Sequence, residues 1–226
     1  MRAVVVADGV PVAGDRRRLG DAELIVAADG GVHWLDECGV RPDWIVGDLD
    51  SAHPALVERL TARGTRIDRH PSSKDESDTE LAVGRALDSG ADRIDVLGAL
   101  GGERLDHELA NLLLLADARL AGTDVRLIRG GTTVRALRDS ERIVLEGRPG
   151  DLVTLIPVAG DATGVRTAGL RYPLRGEPLI VGASRGLSNV VQDTDAWVAI
   201  ERGTLLVVET PKVETLKSSA GRGGQR

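Results

Sequence analysis

Five aspartates in the first eighty positions, Asp29, Asp48, Asp50, Asp75 and Asp78, stand just past segments that read as strand ends. Two of them alternate in Gly47-Asp48-Leu49-Asp50-Ser51, directly after the apolar run Trp44-Ile45-Val46. Alternate side chains of an extended segment share a face, so Asp48 and Asp50 are expected to point the same way. Gly47 lets the backbone approach closely at the strand end. Carboxylates at close range repel unless a cation joins them, and hard oxygen donors of this kind suit Mg²⁺ held together with substrate phosphates. The chemistry expected is metal-dependent transfer of a phosphoryl-type group. A rival chemistry fits the same string, with Asp48 as an aspartyl nucleophile of a phosphatase. Such enzymes usually carry Thr or Val two places after the second aspartate, where this chain has Ala52.

Three further segments could serve phosphates. Ala28-Asp29-Gly30-Gly31 follows a strand and opens a helix, and a helix amino terminus attracts anions. Asp29 as an ordinary helix cap is an equal alternative. Lys74-Asp75-Glu76-Ser77-Asp78-Thr79-Glu80 contains a capping-box pattern, Ser77 with Glu80 three residues on. Capping explains Ser77 and Glu80 but not the crowding of carboxylates in the same turn. The glycine-rich run from Gly98 to Gly102 leads into Glu103-Arg104-Leu105-Asp106-His107, where Arg104 could grip phosphate oxygens in a planar, bidentate way. Asp106 has a simpler reading as a helix cap, and His107 as an exposed first-turn residue. His33, His53 and His70 lack metal-ligand spacing, and Cys38 has no partner.

These residues need elements to hold them at one place. Ala3-Val4-Val5-Val6-Ala7, Leu24-Ile25-Val26-Ala27, Trp44-Ile45-Val46, Arg93-Ile94-Asp95-Val96-Leu97 and Val125-Arg126-Leu127-Ile128 read as buried strands. Helical stretches at 32–38, 54–63, 79–89 and 106–120 alternate with them. Such alternation predicts right-handed crossovers and a mainly parallel sheet, with ligands bound at the carboxyl ends of its strands. From about Thr132 the pattern changes to short strands at 140–145, 152–156, 179–181, 197–200 and 205–208, punctuated by Gly and Pro. The expected organisation is an α/β domain over 1–130 and an all-β, sandwich-like domain over 131–212. The tail over 213–226 is expected to be disordered, because its stretch from Ser218 to Arg226 lacks the apolar residues of a packed core.

The formal net charge of −6 and an aromatic content of 2%, with no Phe, disfavour a nucleic-acid partner. No apolar stretch approaches the roughly 20 residues needed to span a bilayer. The single Cys38 fits a reducing compartment, and Met1 runs straight into a strand-like segment without a leader, so a cytoplasmic address is expected.

Taken in order, these segments resemble the thiamine pyrophosphokinase family. The likeness also takes in Gly169-Leu170-Arg171-Tyr172-Pro173-Leu174 and Gly186-Leu187-Ser188-Asn189, and covers nearly the whole chain except the tail. It departs at Glu103, which stands where Arg is expected directly after the second glycine of the loop. The resemblance implies an α/β nucleotide-binding domain, a β-sandwich that binds thiamine, and a homodimer with active sites between subunits. The implied reaction moves pyrophosphate from ATP to the hydroxyl of thiamine, with Mg²⁺, releasing AMP. On this reading Asp48, Asp50 and Asp75 hold the metal, and Asp78 or one of that group takes the hydroxyl proton. Asp29, Gly30, Ser77, Arg104, Asp106 and His107 position nucleotide and phosphates, and Ser188 and Asn189 meet thiamine. A non-catalytic thiamine or nucleotide sensor is the other alternative, although all five acids are present.

Overall fold

The structure, a computed structural model, describes residues 1–212. The expected disordered tail lies outside the described residues. Six strands form the parallel array, one more than the five expected: β1 (Arg2–Val6), β2 (Leu24–Ala28), β3 (Trp44–Gly47), β4 (Arg66–Arg69), β5 (Arg93–Leu97) and β6 (Asp124–Arg129). Their order is β4-β3-β2-β1-β5-β6, and every neighbouring pair runs parallel.

The helices are α1 (Gly31–Glu37), α2 (Pro54–Ala62), α3 (Asp78–Asp88) and α4 (Leu105–Leu114). The central strands are apolar at successive positions because both faces of the sheet are covered. Ala3, Val5, Val26 and Ala28 pack with Ala82, Val83 and Ala86 of α3. Val4, Val6, Ile25 and Ala27 pack with Val32 and Leu35 of α1 and with Leu56, Val57 and Leu60 of α2. Each large side chain buried this way contributes roughly 1.5–3 kcal/mol relative to exposure.

β4 has no counterpart in the sequence reading, because Arg66-Ile67-Asp68-Arg69 lacks an apolar run. It is the outer strand of the parallel array, where charged side chains discourage further pairing. α4 stops at Leu114 and does not reach residue 120; a separate 3-10 turn covers Ala118–Leu120.

The change of pattern near Gly130-Gly131 is a tight turn within one sheet. Gly130, at φ 61°, leads into β7 (Thr132–Leu137), which pairs antiparallel with β6. The remaining strands are β8 (Arg142–Val144), β9 (Leu152–Ala168), β10 (Arg175–Leu179), β11 (Asn189–Val190), β12 (Trp197–Ala199) and β13 (Arg202–Thr210). The sheet continues through β7, β13, β9, β12 and β8. β9 is 17 residues long, well beyond the short strand predicted at 152–156. Ala159 and Gly160 take positive φ in its middle. Its first part pairs with β13, and its second part with β10 and β12. Val153 and Leu155 from the first part and Ala162 and Val165 from the second share one core with Leu137, Val198 and Leu205. β10 ends at Leu179, so most of the strand expected at 179–181 is not strand. No helix among the described residues is long and apolar enough to cross a membrane.

Candidate active site

Parallel strands deliver their outgoing loops to one edge. Asp8 follows β1, Asp29 follows β2, Asp48 follows β3 and the glycine-rich loop follows β5. With the amino end of α3 and one side of α4 they enclose a cleft of about 600 Å³. Asp29, Asp48, Asp50, Ser77, Asp78, Arg104 and His107 all line it.

At its floor, one oxygen each from Asp29, Asp48 and Asp78 lies within 4.8 Å of the others. Gly47 makes this possible. Its φ of 140° suits glycine, and a β-carbon there would stand 2.7 Å from Asp78 Oδ1 and 3.2 Å from Asp29 Cβ. Asp29 itself sits at φ 41°, a region that aspartate enters more readily than most residues. It is only 4% exposed. The Ser51 backbone N–H donates to its Oδ2 at 3.2 Å, while its buried Oδ1 has no hydrogen-bond partner among the described residues. Asp29 does not cap α1, whose cap position is Gly30. Burial raises the pKa of its carboxyl, the Ser51 hydrogen bonds oppose this, and Asp78 and Asp50 add to it.

Asp48 sits below the usual carboxylate range because the Asp50 N–H donates to it, at 3.2 Å, with help from the Ser72 hydroxyl and Lys74. Lys74 Nζ lies 3.0 Å from Asp78 Oδ1 and 3.7 Å from Asp48 Oδ2. The extended geometry expected of Asp48-Leu49-Asp50 does not form. Leu49 takes φ 67°, which turns the chain. The exposed Asp50 instead accepts from the Ser51 hydroxyl at 3.1 Å, apart from the close trio. Asp75 is exposed on the loop before α3 and lines neither the trio nor the cleft.

Ser77 caps α3, its Oγ accepting from the Glu80 N–H at 3.1 Å. The Glu80 side chain pairs with Arg119, so of the predicted capping box only the Ser77 half forms, and Ser77 also lines the cleft. Arg104 occupies the cap position of α4, which removes the capping reading of Asp106. The two form a two-pronged pair at 2.9 and 2.6 Å that holds the Asp106 carboxyl well below its ordinary range.

Three lining or supporting residues were missed. Asp8 follows its strand as Asp29 follows the next, a parallel the strand-end rule could have caught. Its carboxylate lies against Gly30, where a β-carbon would overlap it. Burial raises its pKa, His33 opposes the shift, and Asp50 and Asp78 add to it. Buried Asn111 lines the cleft and donates from Nδ2 to the Ala99 carbonyl at 3.0 Å, tying α4 to the glycine-rich loop. His33 Nε2 lies 3.1 Å from the Ser51 carbonyl oxygen and 3.3 Å from the His53 backbone nitrogen, bracing the turn after Asp50.

Ser188 and Asn189 lie on the β half, and the cleft lining ends at Asn111. Ser188 is exposed at φ 56°. The Asn189 amide is committed to backbone. Its Oδ1 accepts from the N–H groups of Tyr172 at 3.0 Å and Val190 at 2.9 Å, and its Nδ2 donates to the Tyr172 carbonyl at 2.7 Å.

The donor set fits a hard divalent cation. Carboxylate oxygens converge, and Asp29 Oδ1 is buried with a lone-pair demand that no donor among the described residues meets.

Two family profiles match the chain in order. One is described as the catalytic domain of thiamin pyrophosphokinase and matches residues 16–127. The other is described as the vitamin B1 binding domain of thiamin pyrophosphokinase and matches 140–205. The chain is 25% identical to thiamine pyrophosphokinase of Bacillus subtilis (strain 168) over 187 residues, covering 83% of this chain and 87% of that one. It is 29% identical to thiamine pyrophosphokinase 1 of Oryza sativa subsp. japonica over 196 residues, covering 76% and 73%. The crystal structure of the Bacillus subtilis thiamine pyrophosphokinase superposes with a TM-score of 0.84 at 22% identity, covering 94% of this chain and all of that one.

Proposed function

The chain belongs to the thiamine pyrophosphokinase family, and from that premise we propose that it transfers pyrophosphate from ATP to the hydroxyl of thiamine, giving thiamine diphosphate and AMP. The observation that carries this reading is the succession of both family domains along one chain, with a carboxylate trio at the strand-end edge of the first. Neither the phosphatase nor the sensor alternative accounts for both.

Residues 1–130 form the nucleotide- and metal-binding part of this reading, and 131–212 the thiamine-binding part. Asp29, Asp48 and Asp78 would hold Mg²⁺, and on this reading Asp50, which lines the same cleft, and Asp75, exposed on the loop that carries Lys74, would join them once nucleotide is present. Bound there, the ion would supply charge neutralisation on the triphosphate. The chain's own contribution is mostly positioning. Arg104 offers two parallel N–H donors to phosphate oxygens after exchanging Asp106 for them. The backbone of the glycine-rich loop, steadied by Asn111, lines the cleft where the nucleotide would lie, with Ser77 and His107 also in the lining. The hydroxyl proton of thiamine would pass to Asp78 or another carboxylate of the cluster, and Asp8, which lines the same cleft outside the metal-holding trio and whose pKa burial raises, is a further basic group there. The fixed positive charge of the thiazolium suits a cleft so rich in carboxylates.

Ser188 and Asn189 supply the thiamine side, Asn189 by holding the turn at Tyr172. Because they do not line the cleft of their own chain, the reading includes a homodimer whose sites lie between subunits. Leu105, Leu109 and Leu113 form an exposed apolar stripe on α4 beside the cleft, and Tyr172, Ile180, Val181 and Leu187 are exposed on the β half. Both support such a pairing. A cytoplasmic address accords with the free, buried Cys38.

The test is product identification after incubation with ATP, Mg²⁺ and thiamine. Thiamine diphosphate and AMP should appear in equal amounts. Stoichiometric ADP with thiamine monophosphate would overturn the assignment.

A further inference from the structure

Lys74 lies inside the carboxylate cluster. Its Nζ is 3.0 Å from Asp78 Oδ1 and 3.7 Å from Asp48 Oδ2, and its side chain is only 10% exposed. Among the described residues no other cationic side chain pairs with Asp29, Asp48 or Asp78. Three carboxylate oxygens within 4.8 Å of one another repel when charged, and a cation among them offsets that repulsion. In the protein alone, Lys74 is that cation.

The position of the ammonium has a consequence for metal entry. It contacts two of the three carboxylates that the preceding reading assigns to Mg²⁺, so ammonium and divalent ion need overlapping places. Two cations at such separation repel strongly. Lysine is suited to yielding, because its charge is a compact point on a flexible four-carbon stem with no fixed fork to break. It also sits in the loop ahead of α3, outside any helix or strand. Its neighbours Ser73 and Asp75 are exposed. Nor does it complete the cluster, since buried Asp29 Oδ1 is left without a donor among the described residues.

We propose that Lys74 is a resident counter-ion that holds the Asp29–Asp48–Asp78 cluster together before the metal arrives and competes with the divalent cation for it. This rests on the reading of the cluster as a metal site. It differs from a static ion pair that merely fastens the loop to α3. A static tether would aid metal binding by keeping the ligands in place, whereas a competitor opposes it.

The experiment measures Mn²⁺ binding to the full chain without nucleotide, by electron paramagnetic resonance and by calorimetry. Wild type is compared with Lys74→Met, Lys74→Gln, Lys74→Arg and Asp48→Asn. Circular dichroism and an unfolding transition establish that each variant is folded. Removing the competing charge should tighten Mn²⁺ binding by about tenfold or more in Lys74→Met and Lys74→Gln, while Lys74→Arg stays close to wild type. In chelator the two neutral variants should unfold at lower temperature than wild type, and Mn²⁺ should raise their midpoints by more. Two neutral variants guard against one failing to fold. Unchanged or weaker Mn²⁺ binding in both, with Asp48→Asn still lowering affinity, overturns the proposal and leaves the metal reading standing. Undiminished binding in Asp48→Asn overturns the metal reading and this proposal with it.

Discussion

Replacing Asp29 with Asn separates electrostatic strain in the cleft from simple structural support. The substitution preserves shape and keeps an oxygen that can accept the Ser51 N–H, now 3.2 Å from Oδ2. What it removes is a carboxylate that is 4% exposed and has one oxygen without any donor. Its nearest oxygen lies within 4.8 Å of one on Asp78, and two full charges at that separation repel by about 3.5 kcal/mol at an effective dielectric constant of about 20. Lys74 on Asp78, and water at a side chain that is 30% exposed, reduce what can be recovered. The expected gain for the metal-free protein is about 1–2 kcal/mol, or roughly 3–6 °C in unfolding midpoint for a chain of this size.

The assay is thermal unfolding in EDTA at several pH values. Burial raises the Asp29 pKa above its ordinary 3.8, so the folded protein keeps a proton that the unfolded chain has already released. Wild-type stability therefore falls as pH climbs from about 3.8 through the raised value, and the Asn variant escapes that loss. The two proteins should converge below that window and separate above it. Saturating Mg²⁺ should close the gap, since the ion stabilises whichever protein binds it better. Turnover by the variant should fall by orders of magnitude. A variant less stable than wild type in EDTA at neutral pH would refute the reasoning, because support from the Ser51 hydrogen bond would then outweigh charge repulsion.

Asn111→Ala should leave the Ala99 carbonyl unpaired, cost about 1–3 kcal/mol in chemical denaturation, and raise the Michaelis constant for ATP more than that for thiamine. Asn189→Ala removes three backbone contacts around Tyr172, so it should raise the Michaelis constant for thiamine by about tenfold or more and leave that for ATP near wild type, as steady-state kinetics would reveal.

The parallel array was legible in the residue string because its central strands are apolar on both faces. Ala3 to Ala7 cannot sit half-exposed, and the strand-end rule then puts Asp29 and Asp48 at one edge. The order of the motifs also sufficed to reveal the family. β4 stayed hidden because an outer strand can be charged, and the length of β9 because Gly160 and Asp161 interrupt its apolar alternation. Which carboxylates meet was decided only in three dimensions. Asp50 reads as the twin of Asp48, yet a positive φ at Leu49 turns it aside, and a backbone torsion cannot be read from residue types. Asp78 reaches the trio because α3 packs against β2 and β3 and because Gly47 leaves room for it. Lys74 acquires its place between carboxylates from that same packing. In the sequence it is one lysine in an acidic loop, since the proximity of Lys74 to Asp48, far from it along the chain, is a property of the folded chain alone.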